Sequence, residues 1–191
     1  MMLKNAFKEW AVICQALAEG RQALILRKGG IAEAGGEFTI EHTRFWLFPT
    51  YIHQQNSGIK PEAVPLLRQV EAEAPPAGVI RLSHFAEVAG VYHLHDMVGA
   101  LRIRHLHLWS DETVQARFTY RQPGLFVLPL RIYCAPQVHE LQDNAHYAGC
   151  RSWVELEQAL PTADATPVLD DQAFQNWLRK LDDLLKPTAY A

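Results

Sequence analysis

Strand-like runs dominate this chain, and the helical patterns between them do not recur at a regular interval. "QALILRK", "FTIEHTRFWLFPTY", "VIRLSHFAEVAGVYHL" and "LFVLPLRIYCA" each read as extended, rich in branched and aromatic residues and bounded by Gly or Pro. A doubly wound parallel sheet needs a helix after nearly every strand, and that alternation is missing. The pattern therefore predicts an α+β fold: a single domain over 1–191 with a largely antiparallel or barrel-like sheet, flanking helices and a C-terminal amphipathic helix. A core over about residues 7–160, a connection over 161–169 and a helix over 170–186 complete the expected layout. At 191 residues and 49% hydrophobic, the chain can bury one sizeable core.

Local signals place the elements. "EWAVICQAL" and "QALILRK" read as two apolar strands around the turn "AEGR", with a buried helix as the alternative for the first. In "RFWLF", Phe45 and Leu47 face one way and Trp46 and Phe48 the other. A helix is expected to begin near Pro61 and to close at Pro75-Pro76. In the next strand Val79, Arg81, Ser83 and Phe85 oppose Ile80, Leu82 and His84, with a bend at Gly90. Ser110 is placed to cap a short helix, and Pro129 marks an edge or a bulge. Ser152 and Glu155 match a capping box for another short helix. The last helix carries Phe174, Trp177, Leu178, Leu181, Leu184 and Leu185 on one stripe.

No apolar run reaches the roughly 18 to 20 residues of a membrane span, and the charged start lacks a signal-peptide pattern, so the expectation is a soluble, cytoplasmic protein without a membrane partner. The three cysteines form no CxxC, which leaves buried reduced thiols as the simplest reading. Net charge is −3 and argues against coating nucleic acid by bulk attraction. Its distribution is uneven. Residues 79–151 hold seven basic side chains, all arginine, and seven of the nine histidines, whereas 152–191 hold seven acids against three bases. Arginine's planar fork suits phosphate and base recognition.

Four constellations carry chemistry. Arg27, Lys28, Gly29 and Gly30 read either as a hairpin turn or as an anion cradle, since glycine frees backbone amides beside two cations. Tyr51, His53 and Gln54 follow an apolar strand, where a ring could stack on a base and an amide could read its edge. His93, His95 and Asp96 form a possible ligand set for a divalent metal, with His53, His105 or His107 as additional donors, alongside the reading of packed or surface histidines. Cys150 beside Arg151 is a weaker nucleophile candidate. HExxH, GxSxG and the nucleotide-binding glycine fingerprints are absent, and none of the six lysines has an acid two residues earlier, as a restriction-type nuclease site requires.

"EWAVICQALAEGRQALILRKGGIAE", "FWLFPTYIHQQ", "RFTYRQPGLFVLPLRIY" and "YAGCRSWVEL" occur in that order, and together they resemble the bacterial domain-of-unknown-function family 1802 over about residues 7–160. The family supplies no catalytic residues to carry over. Its association with restriction-endonuclease-like modules implies a role near DNA processing or defence. The resulting expectation is a nucleic-acid recognition or processing accessory with DNA or RNA as partner. Arg27 and Lys28 would contact phosphates, Tyr51, His53 and Gln54 would form the base-facing rim, and Arg117, Arg121 and Arg131 would extend the basic face. The rivals are a metal-dependent hydrolase using His93, His95 and Asp96, and a non-catalytic module whose C-terminal helix docks a protein partner.

Overall fold

Four successive side chains of one strand, Phe45 to Phe48, are all buried, because the strand lies inside a sheet covered on both faces. In this computed structural model, which describes residues 1–28, 42–52, 54–149 and 151–186, the strand is β3 (Arg44–Thr50). Phe45 and Leu47 enter one apolar cluster, and Trp46 and Phe48 enter a second on the opposite face, as the alternation predicts.

Along the chain, β1 (Met2–Trp10) runs directly into α1 (Ala11–Ala18), followed by β2 (Leu24–Arg27). After β3, a 3-10 turn at Pro61–Ala63 opens α2 (Val64–Ala72). Then come β4 (Val79–Val88), β5 (Tyr92–Leu94), α3 (Met97–Arg102), α4 (Asp111–Thr119) and the long β6 (Leu125–Gln142). The chain closes with β7 (Trp153–Pro161), the short β8 (Thr166–Pro167) and α5 (Asp171–Leu185).

Among the described residues the strands form one eight-stranded sheet ordered β2-β6-β4-β3-β1-β7, with β5 and β8 added on β6. Only the β1–β3 pair is parallel, so the architecture is α+β with a largely antiparallel open sheet. β6 binds its two halves into one body: its first part pairs β2 and β5, and the remainder pairs β4 and β8. The free edges, β2 and β7, approach each other at one end, where Arg27 Nη1 donates to Ser152 Oγ at 3.1 Å.

Three local expectations are corrected. The segment 11–18 is a helix rather than the first strand of a hairpin. Six of its eight residues are buried, so no polar face marks the helical period in the sequence. Ser152 and Glu155 do not open a helix, since 153–161 is a strand paired with β1, and its alternate residues Val154 and Leu156 fill the second cluster. In β4 a bulge between Leu82 and His84 changes the phase, so Phe85 joins Ile80 and Leu82 instead of opposing them.

Pro129 lies within a central strand yet leaves no ladder donor missing. Its carbonyl accepts from Ala89 N at 2.9 Å, so its own nitrogen faces the point where the chain leaves β4 for β5. The cap expected at Ser110 is formed, its Oγ accepting from Thr113 N at 3.2 Å; the last helix is capped by Asp170, whose Oδ1 accepts from Ala173 N at 2.7 Å. No described helix is long and apolar enough to cross a membrane.

Candidate functional site

Where the two sheet edges meet, a cleft of about 1000 Å³ opens. The end of β1 supplies Lys8, Glu9 and Trp10, and β2 supplies Leu26 and Arg27 with Lys28 just beyond it. Residues 48–52 at the end of β3, the 74–81 turn, Arg117 of α4 and the approach to β7 complete the wall. Six cationic side chains, Lys8, Arg27, Lys28, Arg81, Arg117 and Arg151, face two acids, Glu9 and Asp143, in a chain whose net charge is −3. Positive charge is thus concentrated here against the sign of the whole molecule.

The arginines are held by flat contacts. Arg27 lies 4.5 Å over the Phe7 ring, and Arg117 lies 4.8 Å over Trp109 and 5.3 Å over Trp10. Burial pushes the Arg27 guanidinium below its ordinary pKa; Glu9 opposes the shift and Arg117 adds to it. The group stays charged near neutrality, because arginine starts far above that range. Glu9 is 6% exposed, accepts from Trp10 N at 2.8 Å, and stands 4.0 Å from Arg117. A guanidinium carries five N–H donors in a planar fork; Arg27 spends one on Ser152 Oγ and Arg117 one on Leu26 O at 3.5 Å, which leaves further donors on both cleft-lining side chains. Trp10, Phe48, Tyr51 and Tyr147 contribute aromatic surface to the same wall.

The family described as "Domain of unknown function (DUF1802)" matches residues 6–180. The chain belongs to that family. Among solved structures, this DUF1802 chain is similar to ASCH from Zymomonas mobilis, at 12% identity and a TM-score of 0.45, over 92% of this chain and 93% of that one. A serine-to-alanine variant of that protein aligns with the same identity and score over 94% of its chain. A tyrosine-to-phenylalanine variant gives a TM-score of 0.44 over 96% of its chain. No curated protein matches the sequence.

Of the site residues expected from sequence, the DUF1802 fold brings Arg27, Lys28, Tyr51 and Arg117 into one cleft. Lys28 does not offer its ammonium to a ligand: it donates to the carbonyls of Phe118, Gln122 and Gly124, fastening the turn after α4 to β2. Gln54 is buried and its Oε1 accepts from Val12 N at 3.1 Å, so it caps the start of α1 rather than reading a base edge. Arg131 is removed from the cleft and braces α5, with Nη2 2.6 Å from Asp171 Oδ1 and Nη1 donating to Asp170 O. Arg121 lies 5.1 Å over the Tyr120 ring at the end of α4. Gly29, Gly30, His53 and Cys150 fall outside the described residues.

The proposed metal ligands have other engagements. His93 stacks on Phe126 at 4.2 Å and lies 3.9 Å from His95, while Asp96 Oδ1 accepts from Gly99 N at 2.7 Å as the cap of α3. Burial, His95 and Lys28 all lower the His93 pKa. His107 is buried, 2% exposed, and is not gathered with them. Among the described residues no group of three or more His, Cys, Asp or Glu side chains could hold a metal ion.

Sequence reasoning did not single out Lys8, Glu9, Trp10, Arg81 or the cationic role of Arg151. A sequence signal existed in one place only: Lys8-Glu9-Trp10 puts two charges and an aromatic at the end of an apolar strand.

Proposed function

We propose that the seam cleft binds nucleic acid, with backbone phosphate on its arginines and a base against its aromatic wall. The observation that carries this reading is the juxtaposition of Arg27, Arg117 and Arg151 with Trp10 and Tyr51 in one cleft of an otherwise acidic chain. Phosphate contacts from arginine supply affinity and orientation, and rings supply sequence-tolerant stacking. The chain then acts as a nucleic-acid recognition or processing accessory, the kind of component that a restriction or defence system would employ.

Fluorescence anisotropy against labelled DNA and RNA oligonucleotides, from low to physiological salt, tests it. Saturable binding that weakens with salt is expected. Arg151→Glu or Arg117→Met should lower the affinity and reduce the salt slope by about one for each phosphate no longer neutralised. Absence of binding at low salt, or binding indifferent to both substitutions in folded protein, would overturn the reading.

A further inference from the structure

We infer that the ligand is a single strand that occupies two adjoining subsites, with its phosphodiester at Arg117 and an unstacked base on each side of Trp10. This rests on the nucleic-acid reading above and narrows it. Beside the cleft lies a second hollow of about 770 Å³, and the two share Trp10, Lys28 and Arg117. These side chains therefore form the partition between them. Tyr120, Gln55 and Ser57 line the far hollow.

The partition is built closely. The Cη2 and Cζ3 atoms of the Trp10 indole come up against Gly58, where a Cβ would stand 2.6 Å from Cη2, and Arg117 lies 5.3 Å from the centroid of the same indole. A cation at the partition is where a phosphodiester would cross from one hollow to the other. Tyr120 is 55% exposed at the second hollow, with Arg121 5.1 Å over its ring, so it combines an aromatic surface with a nearby cation. Gln55 and Ser57, both exposed, bring amide and hydroxyl groups suited to a base edge.

The two volumes each lie in the range of a small-molecule pocket, so neither alone needs more than one nucleotide. A duplex keeps its bases paired and stacked, and cannot place neighbouring bases on opposite sides of an indole without unpairing them. A single strand presents every base face freely. Geometry thus selects a single strand over a duplex, and two linked nucleotides over one.

The experiment compares fluorescein-labelled thymidine monophosphate, the thymidine dinucleotide, an oligothymidylate of about twelve nucleotides and a duplex of equal length, by anisotropy at low salt with wild-type protein and with Tyr120→Ala and Arg117→Met. Tyr120 and Gln55 are exposed, so Tyr120→Ala and a parallel Gln55→Ala should melt like the wild type. The expected result is that the dinucleotide and the longer strand bind about tenfold or more tighter than the mononucleotide and the duplex, and that Tyr120→Ala weakens strand binding by about tenfold. Equal affinity for duplex and strand, or strand affinity lowered by Arg117→Met yet unchanged by Tyr120→Ala and Gln55→Ala, would overturn the two-subsite inference and leave the cleft reading standing. No binding of any probe would overturn both.

Discussion

Arg117 Nη2 stands 4.0 Å from Glu9 Oε1, and that carboxylate is almost fully enclosed. Glu9 also supports the charge of Arg27, so one acid serves two guanidiniums and the cluster keeps an excess of positive charge. Glu9→Gln preserves the acceptor for Trp10 N while deleting the negative charge nearest to an incoming anion. At an effective dielectric near that of a protein surface the change is worth roughly 1 kcal/mol, about a fivefold tighter Kd for an oligonucleotide. The anisotropy titration checks this, and a weaker complex would mean that Glu9 positions the arginines instead of merely offsetting them.

Gly58 is required for space rather than for backbone freedom. A Cβ there would come within 2.6 Å of Trp10 Cη2 and 2.8 Å of Cζ3, closer than real contacts allow, so Gly58→Ala must tilt the indole. Overpacking of this kind costs about 1–3 kcal/mol. The expected outcome is a lower melting temperature together with a shifted Trp10 indole N–H resonance and weaker strand binding. An unshifted resonance would show that the partition tolerates the methyl without moving.

Legibility followed how far a signal extends along the chain. The two faces of β3 could be read because Phe45 and Leu47 alternate with Trp46 and Phe48, and the Ser110 cap could be read because a cap is a contact across three residues. The helix after β1 could be read only as the alternative to a strand, because residues 11–17 are buried nearly all round and erase the polar side of its period. At 152–155 a local capping-box match competed with strand pairing to β1, and the sheet won, since only the strand buries both Val154 and Leu156. The cleft itself depends on register. Arg27 and Arg117 are separated by most of the middle of the chain and meet because α4 is fastened against β2, with Arg117 Nη1 donating to Leu26 O at 3.5 Å and Lys28 Nζ to Phe118 O at 2.8 Å. Glu9 carried no sign in the sequence that it would be enclosed between them.

His107 should make stability depend on acid. Burial is the main cause that pushes its pKa down to about 3, with Lys60 and Arg117 adding repulsion and the nearby Trp109 backbone opposing. In the unfolded chain it titrates near 6.5. Between those two values the unfolded state binds the extra proton, so its contribution is present above pH of about 6.5 and declines as pH falls toward 3. The slope is about 1.4 kcal/mol per pH unit, or roughly 2 kcal/mol lost between pH 6.5 and 5. Urea denaturation at both pH values checks it against His107→Leu, which should lose most of this dependence. His84 and His139, also pushed down by burial, should leave a shallower slope in the variant. An unchanged slope would place the sensitivity elsewhere.

The C-terminal helix should be held by apolar burial more than by its ion pair. Leu181 is fully buried, and Trp177, Leu184 and Leu185 pack on the same core cluster, so the stripe that could have docked a protein partner is spent within the chain. Arg131 meets Asp171 at 2.6 Å, but the Asp171 side chain is 98% exposed and its charge is screened by solvent. Leu181→Ala is therefore expected to cost about 2–5 kcal/mol, and Asp171→Asn at most about 1 kcal/mol. Arg131→Met should fall between them, because it loses the bond to Asp170 O but keeps apolar contact with Phe174, over whose ring the guanidinium lies at 4.9 Å. Urea unfolding of the three variants ranks these contributions. A larger loss in Asp171→Asn than in Leu181→Ala would mean that electrostatics, not burial, seats the helix.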